Sequence, residues 1–231
     1  MVSHLSIGQH IRSYVLRQGR LSAGQQRAIE QWFPKWGIVF ANDKGTLSFN
    51  EIFQRTAPTV LEIGFGMGEP TIKIAKTFPD KNFIAIDVHG PGIGNILKLI
   101  EQEELTNVRV IRHDAVEVLN HFIPPHSLAG VHIFFPDPWP KARHHKRRLI
   151  QKPFIDKLTE YLEEGGYIHL ATDWQEYAEQ MLDVLSQCDK LKNTTTGYSD
   201  RPDYRPLTKF ENRGLKLGHG VWDIIFRKES Q

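Results

Sequence analysis

Leu61–Pro70 reads LEIGFGMGEP. A short apolar stretch, Thr59–Ile63, runs into glycines at alternate positions, Gly64, Gly66 and Gly68, and then into a helical pattern. Lacking Cβ atoms, these glycines let a ligand come close to the backbone. The turn departs from the dinucleotide fingerprint, which wants glycine or alanine at its sixth position, where this chain has Glu69. Outward from this turn the rhythm repeats. Asn82–Asp87, Val108–Arg112, Val131–Phe135 and Tyr167–Thr172 are short and mostly apolar, as strands covered on both faces are. Between them, three sets of apolar residues each share one helical face: Ile93, Ile96, Leu97 and Ile100; Ile155, Leu158 and Leu162; Trp174, Tyr177, Ala178, Met181, Leu182 and Leu185. This βαβ alternation with short turns predicts an α/β fold, a doubly wound, mostly parallel sheet with right-handed crossovers. Gly220–Arg227 reads as a late strand, an antiparallel partner of one near Thr194–Tyr198.

The chain has 231 residues, enough for one good core or a core with extensions. The first 50 residues read as an appended basic segment with at least one helix around Ala23–Trp32. Lys plus Arg (29) barely exceeds Asp plus Glu (27), so net charge does not by itself indicate a nucleic-acid binder. The distribution says more. Arg12, Arg17, Arg20 and Arg27 cluster near the start, and Lys141–Arg148 form a second patch. A single cysteine, Cys188, excludes an intramolecular disulfide and a thiolate zinc cluster. No window approaches the roughly 20 apolar residues of a membrane span, and the start lacks a signal-peptide core. The expected compartment is the cytoplasm.

Carboxylates recur where strands end. Glu62 lies at the end of the first strand, Asp87 closes the second and Asp114 follows the third. A carboxylate after the second strand is placed to accept both hydroxyls of an adenosine ribose. Three carboxylates in one cleft repel a pyrophosphate, which prefers bare helix amides, and suit S-adenosylmethionine with its amine and sulfonium. The plainer alternative makes Asp114 a helix N-cap and Glu62 a structural acid.

Phe135–Arg148 reads FPDPWPKARHHKRR. It sets a lone carboxylate, Asp137, and a Trp between prolines directly before five Lys/Arg and two His within eight positions. In open α/β sheets the carboxyl edge is where ligands bind. An acidic and aromatic pocket beside a cationic strip suits an enzyme that works on a base of a polyanion. Asp137 would hold a base through its N–H donors and stabilise positive charge developing on it, with Trp139 or Phe135 stacking on the ring. Phe135 is equally a core candidate, and Trp139 a residue that packs the loop. His144 and His145 read as phosphate-facing rather than as metal ligands, and no metal site is expected. Asp173 is also a candidate N-cap, since Asp-x-x-Glu to Glu176 opens a helical pattern.

The segments LEIGFGMG, FIAIDVHGPGIG, FPDPWPKARHHKRR, LATDW and RPLTKFENRGLKLGHGVWD resemble the successive motifs of the bacterial tRNA (guanine-N7)-methyltransferases, and Arg12–Glu30 resembles that family's opening segment. The resemblance implies a seven-stranded, Rossmann-like class I methyltransferase fold with S-adenosyl-L-methionine as cofactor. The expected division is an extension, residues 1–50, that faces tRNA and whose glycines and basic residues allow disorder that resolves on binding, and a methyltransferase domain, residues 51–231. The resemblance implies catalysis at Asp137, and cofactor contacts at Glu62, Asp87, Asp114 and Asp137 beside the glycines at 64, 66 and 68. It further implies substrate contacts at Lys141, Asp173, Thr208, Lys209, Phe210 and Glu211, and RNA contacts at Arg143, His144, His145, Lys146, Arg147 and Arg148. The implied target is guanosine 46 in the tRNA variable loop. Asp87 stands where the family usually has Glu, and Ala142 where a basic residue is common. Neither a membrane nor an obligate protein partner is implied, and monomer and homodimer stay open.

Two rival readings of the sequence stand beside this one. An exocyclic amino methyltransferase acting on nucleic acid or protein carries an Asp-Pro-Pro-aromatic loop at the same strand end; the missing proline pair and the long basic tail argue against it. A catalytically silent RNA-binding protein would not need acids at each cofactor strand end.

Overall fold

A computed structural model of the chain describes residues 12–14, 19–216, 218 and 220–230; Arg17 of the N-terminal basic cluster lies outside the described residues. Helices α1 (Ala23–Trp36) and α2 (Phe49–Phe53) precede the first strand. Then β1 (Thr59–Ile63), α3 (Glu69–Thr77), β2 (Asn82–Asp87), α4 (Gly90–Gln102), β3 (Val108–Arg112), α5 (Ala115–Phe122) and β4 (Leu128–Phe134) alternate. A 3-10 helix (Ala142–Arg147) leads to α6 (Lys152–Tyr161), β5 (Leu162–Thr172), α7 (Gln175–Ser186), β6 (Leu191–Asn193), α8 (Lys209–Lys216) and β7 (Trp222–Lys228). The strands form one seven-stranded sheet in the order β3-β2-β1-β4-β5-β7-β6. The first five run parallel, and β7 is antiparallel to both β5 and β6. The expected doubly wound, mostly parallel sheet is therefore the observed one.

Both faces of the sheet are covered, which explains the nearly unbroken apolar strands. Leu61, Ile63, Ile84 and Ile133 face one apolar cluster, shared with α5, α6 and α7. Val60, Phe83, Ala85 and Val110 face the other, shared with α1, α3 and α4. Glu62 is buried in β1, and the period-two alternation puts it on the same face as Val60. The reversal of strand order falls between β1 and β4, the crevice where doubly wound sheets bind ligands.

Three local expectations change. Leu162 fits the spacing of Leu158 on a helix, yet α6 ends at Tyr161 and Leu162 opens β5. The strand partnering β7 lies earlier than Thr194–Tyr198, at Leu191–Asn193, although Thr194 and Ser199 still donate backbone N–H groups to Ile225 and Asp223 of β7. Trp174 caps α7 and is exposed, whereas Tyr177, Ala178, Met181 and Leu185 form the buried face.

The residues before β1 build onto this frame. Ser22 and Gln25 form a reciprocal capping box that opens α1. The helix packs on α4 closely enough that a Cβ at Gly94 would lie 2.8 Å from Gln25. Beyond α1, Ile38 N donates to Val110 O at 2.8 Å and extends the β3 edge.

Candidate active site

At the crevice between β1 and β4 lies a cavity of about 230 Å³. Gly64 and Gly66 line it from the turn after β1, Asp87 from the end of β2, Asp114 from the start of α5, and Phe135–Asp137 from the loop after β4. Among the described residues, three carboxylates and no Lys or Arg line it. That donor set fits the ribose, amine and sulfonium of S-adenosylmethionine and opposes a phosphate-bearing nucleotide.

Each acid is held differently. Asp87 Oδ2 accepts from Gly66 N at 2.9 Å, and Oδ1 accepts from Val88 N at 2.7 Å and His89 N at 3.0 Å, so the glycine turn is pinned to the end of β2. Gly66 has φ +61°, and a Cβ on Gly92 of α4 would lie 2.0 Å from its carbonyl oxygen. Asp114 caps α5 by accepting from Val116 N and Glu117 N, so the plainer N-cap reading holds while the carboxylate also lines the cavity. Tyr14 adds a hydrogen bond to it; burial and the Asp114 charge push the phenol up, keeping it protonated. Glu62 and Gly68 do not line the cavity. Glu62 is 4 % exposed, and burial pushes its carboxyl up to about 7. The Thr71 hydroxyl, which makes no hydrogen bond of strict geometry, opposes that rise, and the Asp87 charge adds to it. Gly68 caps α3 at φ +85°, where a Cβ would meet Ile96 at 2.7 Å, so its need is helix packing.

The basic strip divides into tethered and free residues. Arg148 is only 3 % exposed: Nε donates to Pro138 O, Nη1 to Gln180 Oε1 and Nη2 to Glu176 Oε1, at 2.7, 2.6 and 2.9 Å. This corrects its expected RNA contact, because a guanidinium 3 % exposed, with three of its five N–H groups engaged inside the protein, is not presented to a phosphate. It ties the strip to α7 instead. His145 Nε2 sits 3.1 Å from the same Glu176 oxygen, outside hydrogen-bond geometry. Arg147 lies 3.9 Å over the Trp139 ring, and Trp139 Nε1 donates to Ser13 O at 2.8 Å. The indole expected to stack on a base is therefore already covered. His144 is pushed below its ordinary value by burial and by the charges of Arg143, Arg147, Lys141 and Lys146, so it stays neutral at neutral pH. Lys141, Arg143 and Lys146 are exposed.

The expected substrate segments converge on the same edge with one correction. Glu211 is buried; Oε1 accepts from Arg205 Nη1 at 2.7 Å and Oε2 from Thr208 N at 2.9 Å, while Thr208 Oγ1 accepts from Glu211 N. Thr208 and Glu211 thus form the capping box of α8, and Glu211 is a positioning residue because both carboxylate oxygens are engaged. The side chains of Lys209 and Phe210 lie outside what the structure describes. Asp173 is exposed and does not cap α7, whose N-cap residue is Trp174.

Sequence reading missed the polar chain behind this edge. Arg205 donates from Nε and Nη2 to the two oxygens of Asp223, each at 2.7 Å. Asp223 also accepts from His169 Nε2, and His169 Nδ1 accepts from Tyr204 OH, both at 2.7 Å. Burial opposes charge on Asp223, but hydrogen bonds from His169 and Arg205 outweigh it and hold the carboxyl below its usual range. Arg205 lies 5.6 Å from the Phe135 ring, linking α8 and β7 to the cavity wall. Arg205 and Asp223 bracket the RPLTKFENRGLKLGHGVWD motif, and that was their only signal.

The model of a putative methyltransferase family matches residues 56–224. A tRNA (guanine-N(7)-)-methyltransferase of Nitrosospira multiformis is 60 % identical over 229 residues, covering 99 % of this chain and 99 % of the relative. One of Chromobacterium violaceum is 60 % identical over 219 residues, covering 95 % of this chain and 96 % of the relative. The chain belongs to the tRNA (guanine-N(7)-)-methyltransferase family. The fold of this family member is shared with solved structures at low identity. The 16S rRNA methyltransferase KamB aligns with TM-score 0.58 at 13 % identity, covering 79 % of this chain and 93 % of that one. An rRNA methylase from Streptococcus thermophilus aligns with TM-score 0.53 at 15 % identity, covering 75 % of this chain and 88 % of that one. Among the described residues no helix is long and apolar enough to cross a membrane.

Proposed function

We propose that this chain methylates N7 of guanosine 46 in the variable loop of tRNA, with S-adenosylmethionine as donor, in the cytoplasm. The observation that carries the reading is a cavity walled by Asp87, Asp114 and Asp137, with no lysine or arginine among its described lining residues, opening beside an exposed cationic strip. Asp87 is placed for the ribose hydroxyls and Asp114 for the adenine side, with Gly64 and Gly66 giving backbone access. Residues before position 51 are proposed to face the tRNA, since Ser13 and Tyr14 line the cavity and Trp139 is tied to Ser13.

Bound S-adenosylmethionine supplies a methyl group on a sulfonium; the guanine N7 lone pair forms the new N–C bond as the S–C bond breaks, and no proton is lost. The protein's task is therefore placement, for which well-oriented reactants gain about 7–11 kcal/mol. Asp137, exposed on the cavity wall, accepts from the N–H donors of the guanine edge and stabilises the positive charge that arrives on the purine. The exocyclic amino reading would require Asp137 to face an attacking amine, and the family relatives favour guanine N7.

Incubation with labelled S-adenosylmethionine and bulk tRNA, followed by nucleoside analysis, tests the reading. The expected product is N7-methylguanosine, lost when position 46 is changed to adenosine. Label on an exocyclic amine would overturn it.

A further inference from the structure

Four of the five tryptophans have a partner for the indole. Trp36 donates to Glu101, Trp139 donates to Ser13 O beneath Arg147, Trp32 meets the Lys35 ammonium, and Trp222 tilts against Tyr198. Trp174 has neither ring, cation nor side-chain hydrogen-bond partner among the described residues, and it is 40 % exposed. Among the described residues it is the one aromatic with a large exposed apolar side chain.

Its turn is hydrogen-bonded on both sides of the indole. Trp174 N donates to Thr172 Oγ1 at 3.2 Å, and its own carbonyl accepts from Ala178 N at 2.9 Å. Ala171, at the end of the same strand, accepts from Phe135 N at 2.8 Å, which joins the turn to the loop that carries Asp137. Glu176, two residues on, is held by Arg148 of the basic strip at 2.9 Å. An exposed indole thus sits on a turn joined on one side to the loop that carries Asp137 and on the other, through Glu176 and Arg148, to the basic strip. It does not line the cavity, whose aromatic walls are Phe134 and Phe135 and, from the N-terminal segment, Tyr14.

We infer that Trp174 is a stacking platform for the tRNA base next to the target guanine. Every nucleobase has a π-face, so a flat ring beside a cationic strip grips single-stranded RNA regardless of its sequence. The inference rests on the tRNA reading above and assigns a contact outside the cavity, so it acts on tRNA binding and leaves the chemical step alone.

Trp174→Ala, Trp174→Leu and Trp174→Phe separate the possibilities when tRNA KM, kcat, tRNA Kd by filter binding and S-adenosylmethionine Kd are measured for each. Alanine and leucine should each raise tRNA KM and Kd about 5- to 100-fold, with kcat and cofactor Kd within about twofold of the parent. Phenylalanine keeps a π-face and should stay within about threefold. A Trp174→Ala protein that binds tRNA as the parent does, or leucine rescuing as well as phenylalanine, overturns the stacking role. A parent protein that forms no N7-methylguanosine overturns the functional reading instead, while the filter-binding comparison still decides the platform.

Discussion

Arg205 and Glu211 form an ion pair at 2.7 Å with both side chains 2 % exposed. Desolvating two charges is costly unless each is fully paired, and here Asp223 and the Thr208 amide complete the pairing. Glu211→Ala should therefore lower unfolding free energy on the order of 3 kcal/mol, measured by urea denaturation. Glu211→Gln should cost less. A Glu211→Ala protein with parental stability and reduced tRNA turnover would instead mean a direct substrate contact.

Asp137 is an exposed carboxylate on the cavity wall. Asp137→Ala should lower kcat about 10²- to 10³-fold in a protein that remains folded by circular dichroism. Near-normal turnover on tRNA would remove Asp137 from the mechanism.

Glu62 makes the stability of the fold depend on pH. Burial lifts its carboxyl from an ordinary 4.5 to about 7. Between those values the folded chain keeps a proton that the unfolded chain has lost, so this contribution to stability is present below pH 4.5 and is lost as pH rises through 7. Glu62→Gln lacks the titration, and its stability relative to the parent should rise on the order of 3 kcal/mol across that window. Parallel pH curves of stability for the two proteins would refute this dependence.

Gly92 sets the position of the glycine turn. A methyl there would lie 2.0 Å from Gly66 O, a backbone atom that can give way only if the turn itself moves. Gly92→Ala should shift the turn off Asp87 and weaken S-adenosylmethionine binding by at least tenfold, roughly 1.4 kcal/mol, in calorimetric titration. Unchanged affinity would show that the turn moves without consequence.

The strands were legible because each is an unbroken apolar run between turn residues, and the acids were legible because a strand's end can be read from the same run. Asp87, Asp114 and Asp137 meet at one cavity for that reason. Leu162 was not, since an apolar residue four positions after Leu158 fits a helix and a following strand equally. Arg148 was hidden for another reason. Its partners Glu176 and Gln180 are 28 and 32 residues away, and nothing local distinguishes a solvated arginine from one folded onto another helix. The Arg205–Asp223–His169 chain is likewise tertiary, joining β5, β7 and the segment before α8.

That difference within the basic strip yields the last prediction. Arg143 and Lys146 are exposed and have no ion-pair partner among the described residues, so their cost on binding tRNA is small and their gain is counterion release. Arg143→Ala combined with Lys146→Ala should weaken tRNA binding and flatten its log–log salt dependence by about 0.7–0.9 for each phosphate no longer neutralised, with melting temperature and cofactor Kd unchanged. Arg148→Ala should behave in reverse. Removing it strands Glu176, Gln180 and the Pro138 carbonyl and loosens the loop that carries Asp137, so stability falls first. Its salt slope should match the parent's, because the guanidinium meets no phosphate. Filter binding across a salt series, paired with thermal melts, reads both variants. A flattened slope in Arg148→Ala, or a parental slope in the Arg143→Ala/Lys146→Ala protein, would reverse the division of the strip into an internal tie and an RNA-facing edge.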